Sequence, residues 1–263
     1  MSNYKILFLD IDGTILTPDN EIQDSTKNAI KQVQQKGIIV FLATGRPLHE
    51  ILDIGEELQI DSFIGYNGAY AVHKGTDVLR EPMDKETIEG FITIIKDNDH
   101  EAVLYTNGLN LVTSENAASI NQFRDYFHLK QTEPYHPKHS KDILGVSLMN
   151  ISKKDVPLYE SAGNIHLSPI NVEGLKEHAY DVIRTKVNKG FAIQQVLKVL
   201  GLKNENAIAF GDGMNDKEML TTVGEGFAMG NAQPELIKYA KHQTTEVLNS
   251  GVFNGLKKLG LVE

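Results

Sequence analysis

Four short apolar runs in this chain each end at a polar, glycine-bearing segment. Ile6-Leu7-Phe8-Leu9 gives way to Asp10-Ile11-Asp12-Gly13-Thr14, and Ile38 through Ala43 gives way to Thr44-Gly45-Arg46. Phe63-Ile64 leads into Tyr66-Asn67-Gly68, and Ala207 through Phe210 leads into Gly211-Asp212-Gly213-Met214-Asn215-Asp216. Runs this short and unbroken predict strands buried on both faces. The stretches between them carry helical spacing instead. Asp24-Ser25 can cap a helix to about Lys36, with Ala29, Ile30 and Val33 inward and Gly37 at its stop. Leu48, Ile51, Leu52 and Leu58 mark a second helix. Ile193, Val196, Leu197 and Leu200 mark a third, opened by Lys189-Gly190 and followed by Gly201. Pro234 opens a late helix, and Val252, Leu256 and Leu259 mark a C-terminal one.

Buried strands alternating with amphipathic helices predict a parallel sheet covered on both faces, with right-handed crossovers. Ligands of such sheets gather at the carboxyl ends of the strands. The segments around Asp10, Thr44 and Asp212 are therefore predicted to converge on one crevice.

From about Met83 to Lys186 the pattern becomes that of a mixed α+β module. Glu86 to Lys96 reads as a helix, Ala102 to Thr106 and Leu109 to Thr113 as a hairpin around Asn107-Gly108, and Ile143 to Leu148 as a strand. Weaker signals place a helix near Val156 to Glu160 and strands near Ile165 to Leu167 and Tyr180 to Thr185. The stretch from Pro134 to His139 reads as an exposed loop. The first pattern resumes at Val187, so the second module is inserted into the first. The expected division is an α/β Rossmann-like core from residues 1–82 and 187–263, with an inserted cap at 83–186.

Composition narrows the chemistry. With no cysteine in 263 residues, disulfides, thiolate catalysis and cysteine-bound zinc or iron–sulfur sites are excluded, so a metal must sit on oxygen or histidine. A formal net charge of −9 argues against tracking a nucleic-acid backbone but not against a small anionic substrate held in a locally positive pocket. The run Ile6 to Leu9 is too short for a signal-peptide core or a membrane span, so a cytoplasmic protein without membrane association is expected.

Asp10 and Asp12 lie two apart at the end of an extended segment, which predicts that both carboxylates crowd one small volume. Like charges that close favour a hard divalent cation, and Asp212 can complete the cage from another strand end. Alone, Asp-x-Asp-Gly is also an ordinary turn. A calcium-loop reading fails, because Ile15 stands where that pattern needs Gly. What favours a catalytic site is the chain order: Thr44-Gly45-Arg46, then Lys189-Gly190, then the segment from Gly211 to Asp216.

This set resembles the four motifs of the haloacid dehalogenase superfamily. The inserted module, together with Asn67-Gly68 and Gly230-Asn231-Ala232, resembles the Cof-type sugar-phosphatase branch with its large C2 cap. The resemblance implies a phosphatase working on small phosphorylated metabolites with Mg²⁺. It implies Asp10 as nucleophile and metal ligand, and Asp12 as general acid and base whose backbone carbonyl also ligates the metal. Asp212 would be a further ligand. Ile11, Thr44, the Gly45 amide, Lys189 and Asn215 would bind phosphoryl oxygens, with Asp216 supporting the metal or Lys189. Arg46 reads either as a substrate contact or as a solvent-facing residue. The resemblance leaves room for a phosphomutase or phosphotransferase using the same phospho-aspartate, or for a phosphosugar-binding regulator. A monomer or small homo-oligomer is expected, with the active site between core and cap and a cap that closes to exclude water.

Overall fold

The computed structural model describes residues 3–161, 163–170, 175 and 177–263. In chain order its elements are β1 (Ile6–Leu9), α1 (Asp24–Gln35), β2 (Ile39–Ala43), α2 (Leu52–Leu58), β3 (Ser62–Gly65), β4 (Tyr70–His73), β5 (Thr76–Arg80) and α3 (Lys85–Asp97). Then come β6 (Glu101–Tyr105), β7 (Asn110–Val112), α4 (Ala118–Phe127), β8 (Thr132–Pro134), β9 (Gly145–Met149), α5 (Val156–Glu160), β10 (Ile165–Pro169) and β11 (Ala179–Arg184). The chain closes with α6 (Lys189–Leu200), β12 (Ala207–Gly211), α7 (Lys217–Thr222), β13 (Glu225–Ala228), β14 (His242–Gln243) and α8 (Gly251–Lys258). None of these helices is long and apolar enough to cross a membrane.

Two compact units emerge. One comprises residues 1–46, 51–79 and 187–263, and the other residues 47–50 and 80–186. The first is built on a sheet ordered β14-β13-β12-β1-β2-β3-β4-β5. From β14 to β3 every pairing is parallel, as the unbroken apolar runs require, but β3 pairs with β4 antiparallel. The predicted all-parallel sheet thus acquires an antiparallel edge. Its strand β5 is largely exposed, so no apolar run announces it.

Alternation along the central strands divides the core. Ile6 and Phe8, with their register partners Ala207 and Ala209, pack with Ala192, Ile193, Val196 and Leu197 of α6 and Met219 and Leu220 of α7. On the opposite face Phe210 and Phe227 stack with ring centroids 4.6 Å apart. Gly255 of α8 lies so close to Phe210 that any side chain there would strike the ring.

The sequence expectations for α1, α6 and α8 are met, with shifts of a residue or so at the ends. Gln23, not Asp24 or Ser25, occupies the N-cap position of α1. The segment after Arg46 forms a 3-10 turn at Leu48–Glu50 before α2 rather than one continuous helix. The late helix expected at Pro234 is also corrected: only a 3-10 turn at Ile237–Tyr239 follows it, because Leu236 alone there is fully buried and no amphipathic stripe exists to dock a longer helix.

The second unit has a sheet ordered β10-β11-β9-β6-β7-β8. Ile88, Phe91 and Ile95 of α3 cover one face with Ala102, Leu104, Val146 and Leu148. Ile120 and Phe123 of α4 lie with Val103, Val112 and Met149 on the other. Beneath α5, the Tyr159 hydroxyl meets Nδ1 of buried His100 at 2.9 Å. Residues 47–50 join this unit through specific bonds. Fully buried Asn110 donates to Glu50 Oε1 at 2.8 Å, and its Oδ1 lies 3.0 Å from His49 Nε2. The Lys130 amide also donates to Glu50 Oε1 at 3.3 Å. The expected loop at Pro134 to His139 instead carries the end of β8 and the start of a 3-10 segment, Pro137–Asp142.

Candidate active site

Asp10 sits one step beyond β1, its amide still donating to the Phe210 carbonyl of β12 at 3.0 Å, and its side chain is buried. The chain then turns sharply. The Ile11 carbonyl accepts from the amides of Thr14, Ile15 and Leu16 at 3.3, 3.0 and 2.9 Å. Gly13 has φ +80°, and a Cβ on it would overlap the Asp212 carboxylate, so both its conformation and its surroundings demand glycine. The turn breaks the extended geometry on which the crowding of Asp10 and Asp12 was expected. The Asp12 side chain is 56% exposed, whereas that of Asp10 is 8% exposed.

The carboxylates that do converge are Asp10, Asp212 and Asp216, whose nearest oxygens all lie within 4.8 Å of one another. Asp212 follows β12 and accepts from Thr14 Oγ1 at 3.1 Å. Asp216 is fully buried; its Oδ2 accepts the Asp212 and Gly213 amides at 3.0 and 3.1 Å, closing the loop after β12 on itself. Lys189, the first residue of α6, projects its ammonium between two of these acids. Nζ donates to Asp10 Oδ1 at 2.5 Å and to Asp216 Oδ1 at 2.6 Å, with no exposure of the lysine. Asn188 starts that helix, its Oδ1 accepting the Phe191 amide at 2.9 Å.

One ammonium does not balance three carboxylates. Burial, and then the charge of Asp216, push Asp10 well above the ordinary carboxylate range even against the pull of Lys189. Burial and Asp216 likewise raise Asp212 to about 6. Burial alone would make Lys189 easier to deprotonate, but the charges of Asp10 and Asp216 outweigh it and hold the ammonium protonated. With all three acids ionised the site would carry two excess negative charges, and such a set of hard oxygen donors fits a divalent cation such as Mg²⁺. That fit comes from the donor set and the charge imbalance together.

The remaining sequence candidates are distributed around this cluster. Thr44 is buried at the end of β2, its amide donating to the Ile64 carbonyl at 2.9 Å and its Oγ1 accepting the Arg46 amide at 3.1 Å. Gly45 lies against the side chain of Asn67. Asn67, with φ +53°, donates its amide to the Thr44 carbonyl at 3.1 Å and accepts from Asn215 Nδ2 at 3.2 Å. The loops after β2, β3 and β12 are thereby tied together. Ile11 is wholly buried, so its side chain belongs to the core and not to a ligand site.

Two residues outside the predicted set stand out. Asn67 was legible only as half of an Asn-Gly pair, although an asparagine can hold a left-handed conformation while offering an amide. Arg46 was left between substrate and solvent. It forks onto Asp12, Nε reaching Oδ2 at 2.9 Å while Nη2 pairs with Oδ1.

Comparison with known proteins gives a consistent result. The family description "haloacid dehalogenase-like hydrolase" matches residues 7–256. YkrA of Bacillus subtilis strain 168 is 30% identical over 98% of this chain and 99% of its own length. The HMP-PP phosphatase of Klebsiella pneumoniae strain 342 is 27% identical over 88% of this chain and 86% of its own. Among solved structures, the subclass IIB sugar phosphatase BT4131 superposes with a TM-score of 0.81 at 25% identity, covering 98% of this chain and all of that one.

Proposed function

From the premise that this chain belongs to the haloacid dehalogenase-like hydrolases, we propose that it is a Mg²⁺-dependent phosphatase of small phosphate monoesters working through a phospho-aspartate on Asp10. The relatives that carry phosphatase names support the reaction class. One observation carries the assignment of the site: buried Lys189 bridging Asp10 and Asp216 beside Asp212, from segments some 180 residues apart in the chain.

The magnitude of the task explains the number of groups. Phosphate-monoester hydrolysis calls for acceleration of up to about 10²¹-fold, while a general acid typically supplies about 10² to 10⁴. A covalent route divides the reaction into two displacements. In the first, an Asp10 carboxylate oxygen attacks phosphorus, the bond to the ester oxygen breaks, and the departing alcohol takes a proton from Asp12. In the second, Asp12 removes a proton from water, which attacks phosphorus and releases the Asp10 carboxylate and inorganic phosphate.

Lys189 holds Asp10 Oδ1 and so fixes the orientation of the nucleophile. Thr44 Oγ1, the Gly45 amide and Asn215 stand on loops tied to one another through Asn67, a preorganised set of donors for phosphoryl oxygens, to which the Ile11 amide adds one more. Asp10, Asp212 and the Asp12 carbonyl would hold Mg²⁺, with Asp216 anchoring Lys189. When bound there, the cation would neutralise the excess negative charge and polarise phosphoryl oxygens.

The substrate is a small phosphorylated metabolite, read as a sugar phosphate or a compound of similar size. The test is phosphate release from 4-nitrophenyl phosphate and from a set of hexose phosphates with Mg²⁺, with EDTA, and with Asp10→Asn in parallel. Metal-dependent release abolished by the substitution is expected. Full activity in the variant would remove Asp10 from the mechanism.

A further inference from the structure

The proton carrier proposed above has an unusual setting. Asp12 leaves the sheet on a turn, its side chain is 56% exposed, and among the described residues its carboxylate pairs with Arg46 alone. An exposed aspartate on a turn samples several rotamers unless something holds it. A general acid pays heavily in rate for such freedom, because proton transfer requires hydrogen-bond distance and alignment with the departing oxygen.

Arg46 is itself firmly placed. Its amide donates to Thr44 Oγ1 at 3.1 Å, and its carbonyl accepts the Tyr66 amide at 3.2 Å, so its backbone is fixed between the loops after β2 and β3. From that base the guanidinium offers two parallel donors, Nε to Oδ2 and Nη2 to Oδ1. A two-point fork sets the plane of a carboxylate as well as its position, which a single point charge cannot do.

We propose that Arg46 is a positioning residue for the proton-transfer step: its fork fixes the plane of the Asp12 carboxyl through one lone pair of each oxygen and leaves a second lone pair to carry the proton to the leaving oxygen, rather than binding the phosphoryl group. The inference rests on the phosphatase reading and adds to it a role for a residue that the motif comparison left open. It also links the phosphate loop to the acid, since the same three residues, Thr44 to Arg46, carry both functions.

Leaving-group dependence separates this role from the others. The value of kcat/KM covers events up to departure of the alcohol, and 4-nitrophenolate leaves without needing a proton, whereas a sugar alkoxide needs one. For Arg46→Ala, kcat/KM on a hexose phosphate should fall at least tenfold further than on 4-nitrophenyl phosphate, mainly through kcat, with Asp12→Asn setting the upper limit of the difference. Arg46→Lys keeps the charge without the fork and should recover less than half of the loss on a logarithmic scale. Equal losses on both substrates, a change confined to KM, or full recovery by lysine would overturn the inference while leaving the phosphatase reading intact. Absence of metal-dependent release by the wild-type protein would instead overturn the phosphatase reading, and this inference with it. A crystal structure of Arg46→Ala gives a second criterion: Asp12 should occupy more than one rotamer, and a single unchanged rotamer would count against the fork.

Discussion

The Lys189 ammonium lies 2.6 Å from Asp216 Oδ1, and neither side chain has any exposure to solvent. The pair fastens the first turn of α6 to the loop after β12, while the same nitrogen holds Asp10. Removing one member of a buried ion pair leaves the other charge uncompensated, at a cost of about 3–5 kcal/mol. Lys189→Met should therefore lower both the stability seen in urea titration and the rate of phosphate release. A variant that loses activity but keeps wild-type stability would mean that the pair serves the chemistry alone.

Cation binding should depend on pH in a defined direction. Burial raises Asp212 to about 6, so without a cation its protonated form favours the fold, and that contribution is lost as pH climbs from the ordinary carboxylate range through about 6. Mg²⁺ bound there would compete with that proton and relieve the repulsion left after its loss. The difference in Tm between Mg²⁺ and EDTA should be small near about pH 4.5 and large near about pH 7.5, with a midpoint shifted below the metal-free value by the cation. Thermal melts across that range check it, and a flat difference would argue against Asp212 as a ligand.

Gly13→Ala should be far more damaging than its size suggests. A side chain at φ +80° costs on the order of 1–3 kcal/mol, and here its Cβ would also displace the Asp212 carboxylate. The expected result is a folded protein with at least an order of magnitude less metal-dependent turnover. Wild-type kinetics would show that the turn relaxes without moving Asp212.

In the inserted unit, Tyr159→Phe deletes the hydroxyl that meets buried His100. Burial lowers the His100 pKa despite the opposing charge of Asp155, and an unpartnered ring nitrogen in that setting costs about 1–3 kcal/mol. Denaturant unfolding followed by the signal of that unit should report the loss. A neutral result would mean that another group replaces the phenol.

The buried strands and the loops at their ends were readable because each required a continuous apolar run stopped by a glycine-bearing segment, and β1, β2 and β12 meet that rule. Strand β5 and helix α4 were not read, since Thr76–Arg80 is mostly exposed and α4 buries only Ile120 and Phe123. At the site, residue identities were legible but rotamers were not. Whether Asp12 shares a volume with Asp10 or turns toward Arg46 depends on the three amides converging on the Ile11 carbonyl, and spacing along the chain does not encode that turn.

Residues 47–50 have a practical implication for engineering. They lie thirty residues before the main body of the second unit, yet Glu50 accepts from Asn110 and from the Lys130 amide, and His49 Nε2 meets Asn110 Oδ1. Cutting out residues 80–186, or replacing them with the corresponding module of a relative, would strand the nearly buried carboxylate of Glu50 without its donors. A transplantable module is therefore discontinuous: chimeras must carry the tetrapeptide Pro47–Glu50 along with the insertion, or redesign it as a polar surface turn.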